Sequence, residues 1–98
     1  MFSNKTMREM INNLKGRISK MLTISRNLSE DELISLQGVC QTIDDIILWD
    51  KTLTKNKAGR FKSTLRGYSS LMKSTNKPYI KKHIIPVIDK VVSQEWVQ

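Results

Sequence analysis

Residues 28–33 read LSEDEL, and the order of residue types in that hexapeptide is a helix start. The side-chain oxygen of Ser29 can cap the free N–H groups of a first turn, and Glu32, three positions on, can return a bond to the cap's own N–H. Glu30, Asp31 and Glu32 also put three acids where the helix dipole favours negative charge, and Leu28 and Leu33 can meet across the cap as a hydrophobic staple. A helix is therefore expected from here to near Asp50, with Leu33, Leu36, Cys40, Ile43 and Ile47 as its buried stripe. Gly38 inside it costs about 1 kcal/mol relative to alanine, so its presence predicts a close approach by a neighbouring helix.

The same periodicity extends in both directions. Upstream, Met7, Ile11, Leu14, Ile18 and Met21 recur at steps of three and four, giving one apolar stripe on a helix from about residue 4 to 22. Downstream, Thr54 is placed to cap a third helix, on which Phe61, Leu65, Tyr68 and Met72 fall within about 60° of one another and which should reach about residue 73. Pro78 fits the first position of a fourth helix, whose apolar face comprises Ile80, Ile84, Val87, Ile88 and Val91. Pro86 lies within that helix, opposite the face, where a missing N–H is expected to kink it. No segment alternates apolar and polar residues between turn pairs, and no repeat or low-complexity run occurs. The fold class expected is all-α: one antiparallel bundle of four amphipathic helices over residues 1–98.

Composition agrees with an ordinary globular domain. The 98 residues are 39% hydrophobic and 27% charged, with four Gly and two Pro, enough to bury a core without a staple. Cys40 is the single cysteine and His83 the single histidine, so neither an intrachain disulfide nor a Cys/His zinc site is available, which favours a reducing compartment. No apolar run is long enough to span a bilayer and the first residues hold no signal-like apolar region. The expected location is cytoplasmic, with no membrane contact.

Charge is distributed in blocks. Residues 1–28 carry +5, residues 29–50 carry −6, residues 51–88 carry +10 with no acid among them, and the last ten carry −1, for a net +8. A basic third of the chain implies a polyanionic or acidic partner, unless the acidic block lies against the basic ones and neutralises them. Lysines on helix faces are commonly only solubilising, so their alignment matters. On the third helix Lys55, Lys62, Arg66 and Lys73 fall within about 40° of one direction, roughly 100° from the apolar stripe. Gly59, Ser63 and Ser70 border that stripe as small residues that would let a phosphate backbone approach. Lys77, Lys81 and Lys82 start the fourth helix and Lys55 and Lys57 the third, where the dipole disfavours cations and an anion would be welcome.

Catalytic chemistry finds no foothold. A nucleophile needs a base and an orienting group beside it, but Cys40 falls on an expected core stripe and His83 at the edge of one. Asp44 and Asp45 are adjacent on a helix and point about 100° apart, so they cannot flank one bond. Phosphate-loop, dinucleotide and zinc-protease motifs are absent, as is helix-turn-helix spacing. The expectation is a non-enzymatic binding protein without cofactor or metal. Its candidate site is Lys55, Lys57, Lys62, Arg66, Lys73, Lys77, Lys81 and Lys82 on the phosphate backbone of nucleic acid. The alternative is an inhibitor or immunity-type bundle that covers an acidic protein surface, with Trp49 and Trp96 as candidate interface anchors and a homodimer among the arrangements they would allow. Tyr68 and Tyr79 are expected at the core edge, with base stacking as their functional alternative.

Overall fold

In the computed structural model, which describes residues 5–25 and 27–97, four helices make the bundle: α1 Lys5–Ile24, α2 Glu30–Leu48, α3 Lys55–Leu71 and α4 Ile85–Ser93. Residue 4, where the first helix was expected to begin, lies outside the described residues. A short 3₁₀ turn, Asp50–Thr52, joins α2 to α3, and α4 is preceded by an α-helical pair at Pro78 and Tyr79 and a π-helical segment, Ile80–Ile84. α2 packs against α1 and α3, α3 against α4, and α4 with its π-helical lead-in against α1. Contact pairs show that sequential neighbours run antiparallel: Lys15–Asp44 and Arg8–Asp50 for α1 against α2 and its following turn, Gly38–Tyr68 and Trp49–Lys57 for α2 against α3, and Ser69–Asp89 and Lys62–Gln94 for α3 against α4.

α1 buries Met7, Ile11, Leu14, Ile18 and Met21, the stripe its spacing predicts. On α3 the interior residues are Ala58, Leu65 and Ser69, followed by Met72 at its cap, with Phe61 and Tyr68 packed partly buried against the core, to which the last helix and its lead-in add Ile80, Ile84, Ile88, Val91 and Val92. α2 departs from expectation. Its buried apolar residues are Leu36, Val39, Ile43 and Ile46, whereas Leu33 and Ile47 are 40% and 44% exposed and Cys40 is half-buried. The helix is rotated because three polar residues, Glu32, Ser35 and Thr42, occupy its inner face. Two of them are satisfied, Thr42 Oγ1 by donating to Gly38 O at 2.7 Å and Glu32 by a network described below, whereas Ser35 Oγ has no hydrogen-bond partner among the described residues. Full burial of each aliphatic on the true stripe stabilises by about 1.5–3 kcal/mol, and that outweighs the polar insertions.

The caps follow the residue types. Ser29 Oγ accepts from Glu32 N at 3.1 Å while Glu32 Oε1 accepts from Ser29 N at 2.7 Å, and Thr54 Oγ1 accepts from Lys57 N at 3.2 Å. The kink expected at Pro86 is not confirmed; the irregularity seen is a change of helix type just before it, at Ile80–Ile84. Ile85 N–H donates to Ile80 O, five residues back, and the looser turn draws the chain away from the carbonyl that the proline ring would otherwise strike. Arg17 Nη1 from α1 donates to His83 O at 3.0 Å, a bond that ties α1 to this segment. After α4 the chain turns back and seats Trp96 in the core, its Nε1 donating to Val91 O at 2.9 Å.

Gly38 is the close approach its position suggested: the ring of Tyr68 from α3 lies against it, and a Cβ built there would sit 2.6 Å from Tyr68 Cε1 and Oη. Gly67 on α3 would meet nothing within 4 Å. The same substitution should therefore act with opposite signs at the two sites. In urea denaturation Gly38→Ala should lose about 1–3 kcal/mol by overpacking, and Gly67→Ala should gain about 0.5–1 kcal/mol from helix propensity.

Candidate nucleic-acid interface

The ten bases between residues 51 and 88 meet two kinds of neighbour. Among the described residues Lys77 is the one member of this block with an ion-pair partner: its Nζ lies 2.7 Å from Glu32 Oε1. Glu32, 4% exposed, also accepts from Thr75 Oγ1, and Thr75 Oγ1 in turn accepts from Lys77 N at 3.2 Å. Burial alone would push the Glu32 carboxyl up, but donors from Lys77, Thr75 and Ser29 together outweigh it and hold the group at about 2, below the ordinary 4.5. Lys77 is therefore a structural cation that fastens the connection after α3 to the start of α2, in place of the anion-binding role its position suggested.

Two further lysines are oriented by neutral groups. Lys57 Nζ lies 3.6 Å from the centroid of the Trp49 ring, and Lys62 Nζ donates to Gln94 O at 2.7 Å, with the Trp96 ring centroid 5.5 Å away. Neither contact cancels the charge. Lys55, Arg66, Lys73, Lys81 and Lys82 are exposed and form no ion pair among the described residues. Arg66 and Lys73 converge on one open cleft of about 360 Å³ between α3 and α4, which Ser70 and Ser93 also line. Asp89 lies in that cleft as well, where its Oδ1 accepts from Ser69 Oγ at 3.0 Å. Arg60, absent from the sequence-derived site, is exposed and lines a second shallow groove with Asn56, Gly59, Ser63 and Thr64. It falls about 140° from the centre of the stripe of Lys55, Lys62, Arg66 and Lys73, on the same side of α3 as Lys57.

The acidic block is partly consumed inside the chain. Besides Glu32 with Lys77, Asp44 pairs with Lys15 and Asp50 with Arg8. Two of these three partners, Arg8 and Lys15, come from α1, and one, Lys77, from the second basic block.

Of the two tryptophans, Trp49 is 43% exposed at the end of α2. Trp96 is 1% exposed and is a core residue, not an interface anchor, because the chain folds back after α4 and its indole N–H finds a buried carbonyl. Tyr68 and Tyr79 are half-buried, and the Tyr79 ring stands 5.1 Å from that of His83, which is exposed. Burial chiefly pushes the Cys40 thiol up, which keeps it protonated. Among the described residues no three His, Cys, Asp or Glu side chains gather closely enough to share a metal ion, and no helix is long and apolar enough to cross a membrane.

No protein-family model, curated protein or solved structure matches the chain.

The Glu32 network gives a signed pH dependence. A carboxyl held at about 2 against an ordinary 4.5 contributes stability that is complete above 4.5 and is lost as pH falls through 2. The urea midpoint should fall across that window, and Glu32→Gln should flatten the fall. The variant should also lose about 3 kcal/mol at neutral pH, because Lys77 is left without its partner.

Proposed function

We propose that this chain is a non-enzymatic, cytoplasmic binding protein that associates with nucleic acid through the cations of α3 and the start of the last helix. The observation that carries the reading is the state of the 51–88 block: ten bases and no acid, with one base in an ion pair among the described residues and the others leaving their charge uncancelled. Phosphates are the natural counter-charge for such a surface, because each one displaced from its counterion atmosphere by Lys or Arg contributes a favourable, salt-dependent increment. The residues assigned to phosphate contact are Lys55, Arg66, Lys73, Lys81 and Lys82, with Lys57 and Lys62 adding potential from their tethered positions.

A second reading, an inhibitor or immunity-type module on an acidic protein, is favoured by a different observation. Leu48, 76% exposed, adjoins exposed Ile47 and Trp49 at the end of α2, and a protein partner would cover apolar side chains there.

Binding of labelled DNA and RNA measured by anisotropy across a salt series separates the two. Log affinity should fall linearly with log salt, and the combined Arg66→Gln and Lys73→Gln variant should lower the slope by about 0.7–0.9 per contact removed, with little change in stability. Lys77→Gln should do the reverse, leaving the slope and lowering the urea midpoint. Absence of binding to DNA and RNA at low salt would contradict the nucleic-acid reading and favour the protein partner.

A further inference from the structure

Trp49 presents a large aromatic surface beside the second basic flank of α3. The Lys57 ammonium, 3.6 Å from the ring centroid, covers one face of the indole and helps fix its orientation, while 43% of the residue stays open to solvent. Arg60 follows Lys57 by three positions and Thr64 by seven, so both continue the flank that faces Trp49. Beside them runs the groove lined by Asn56, Gly59, Arg60, Ser63 and Thr64, whose glycine leaves room for a close approach. Lys51 is exposed on the turn between Trp49 and α3.

An indole held by a cation, next to a polar groove that carries Arg60, has the two parts a flexible polyanion with exposed rings would need. The groove follows a backbone, and the aromatic face receives a base. A duplex offers phosphates to the same cations but keeps its base faces inside the stack, so the indole would add nothing to duplex affinity. An apolar protein partner docked on Trp49 would have to cover Lys51, Lys57 and Arg60, and the adjacent acid, Asp50, is already paired with Arg8.

We propose that Trp49 is a base-stacking platform, that Arg60 holds the adjoining phosphate and that Lys57, tethered on the ring, adds its charge, so that the preferred partner is single-stranded nucleic acid. This rests on the nucleic-acid reading of the basic surface and narrows it to a form of strand.

The two tryptophans make the test direct, since Trp96 is shielded and the accessible emission comes from Trp49. The protein is titrated at low salt with a short oligodeoxythymidylate, with oligouridylate of equal length, and with a mixed-sequence duplex of equal length, reading both fluorescence and anisotropy. Expected results are quenching by either single strand, at least tenfold weaker binding of the duplex, and a loss of roughly tenfold or more in single-strand affinity for Trp49→Ala. The tighter of the two homopolymers identifies DNA or RNA as the source. Trp49→Leu keeps apolar bulk without an aromatic face and should show the same loss, so the test stands even if the alanine variant does not fold. Single-strand affinity unchanged in both variants, or duplex bound as tightly as single strand, would overturn the stacking proposal while leaving the nucleic-acid reading in place. No binding to any of the three probes would overturn both.

Discussion

The carboxylate of Glu32 is the contact on which the arrangement of the bundle depends. It is at once the third residue of the α2 capping box and the acceptor for Thr75 and Lys77 from the far end of the α3 connection. A single buried charge thus fixes where α2 begins, which way it is rotated, and how the chain leaves α3 for the last helix. Because Glu32 must point inward, Leu33 next to it must point out, and the whole buried stripe of α2 moves to Leu36, Val39, Ile43 and Ile46. That rotation also presents Gly38 to Tyr68, so the α2–α3 contact inherits its register from the same carboxylate. Breaking a buried pair of this kind leaves an uncompensated charge, the more costly outcome, and this is why such a network can specify one packing.

The same geometry explains the uneven charge of the surface. Acids of α2 and the turn after it reach Arg8 and Lys15 on α1, while the one ion pair toward the second basic block is buried at Glu32. α3 lies between α2 and α4, and the groups that meet its lysines are an indole and a backbone carbonyl. Such partners orient an ammonium group without cancelling its charge. The result is a bundle in which two α1 cations are paired with acids and the α3 flanks remain positive.

Much of this was legible in the residues. The α1 stripe, the Ser29–Glu32 cap, the Thr54 cap, the helical start at Pro78 and the tight spot at Gly38 all follow from local rules, because each is decided by groups a few positions apart. What escaped the sequence depends on partners distant along it. α2 has apolar residues on more than one face, so periodicity alone could not choose between Leu33–Cys40–Ile47 and Val39–Ile46; the choice is made by Thr75 and Lys77, more than forty positions on. Trp96 read as a candidate interface anchor because nothing local shows that the chain turns back to deliver its N–H to Val91. Lys77 read as one cation among several at a helix start, and only its spatial neighbour distinguishes it from Lys81 and Lys82. The five-residue hydrogen bond before Pro86 likewise needs the folded helix to be seen.

Lysine acylation footprinted by mass spectrometry, with and without an oligonucleotide, tests most directly the division of the basic block into a structural cation and a binding surface. Lys77 should react slowly in both conditions, whereas Lys55, Lys73, Lys81 and Lys82 should react rapidly in the free protein and be protected when the oligonucleotide is present. Equal reactivity of Lys77 and its exposed neighbours in the free protein, or no change at the exposed lysines on adding nucleic acid, would contradict that division.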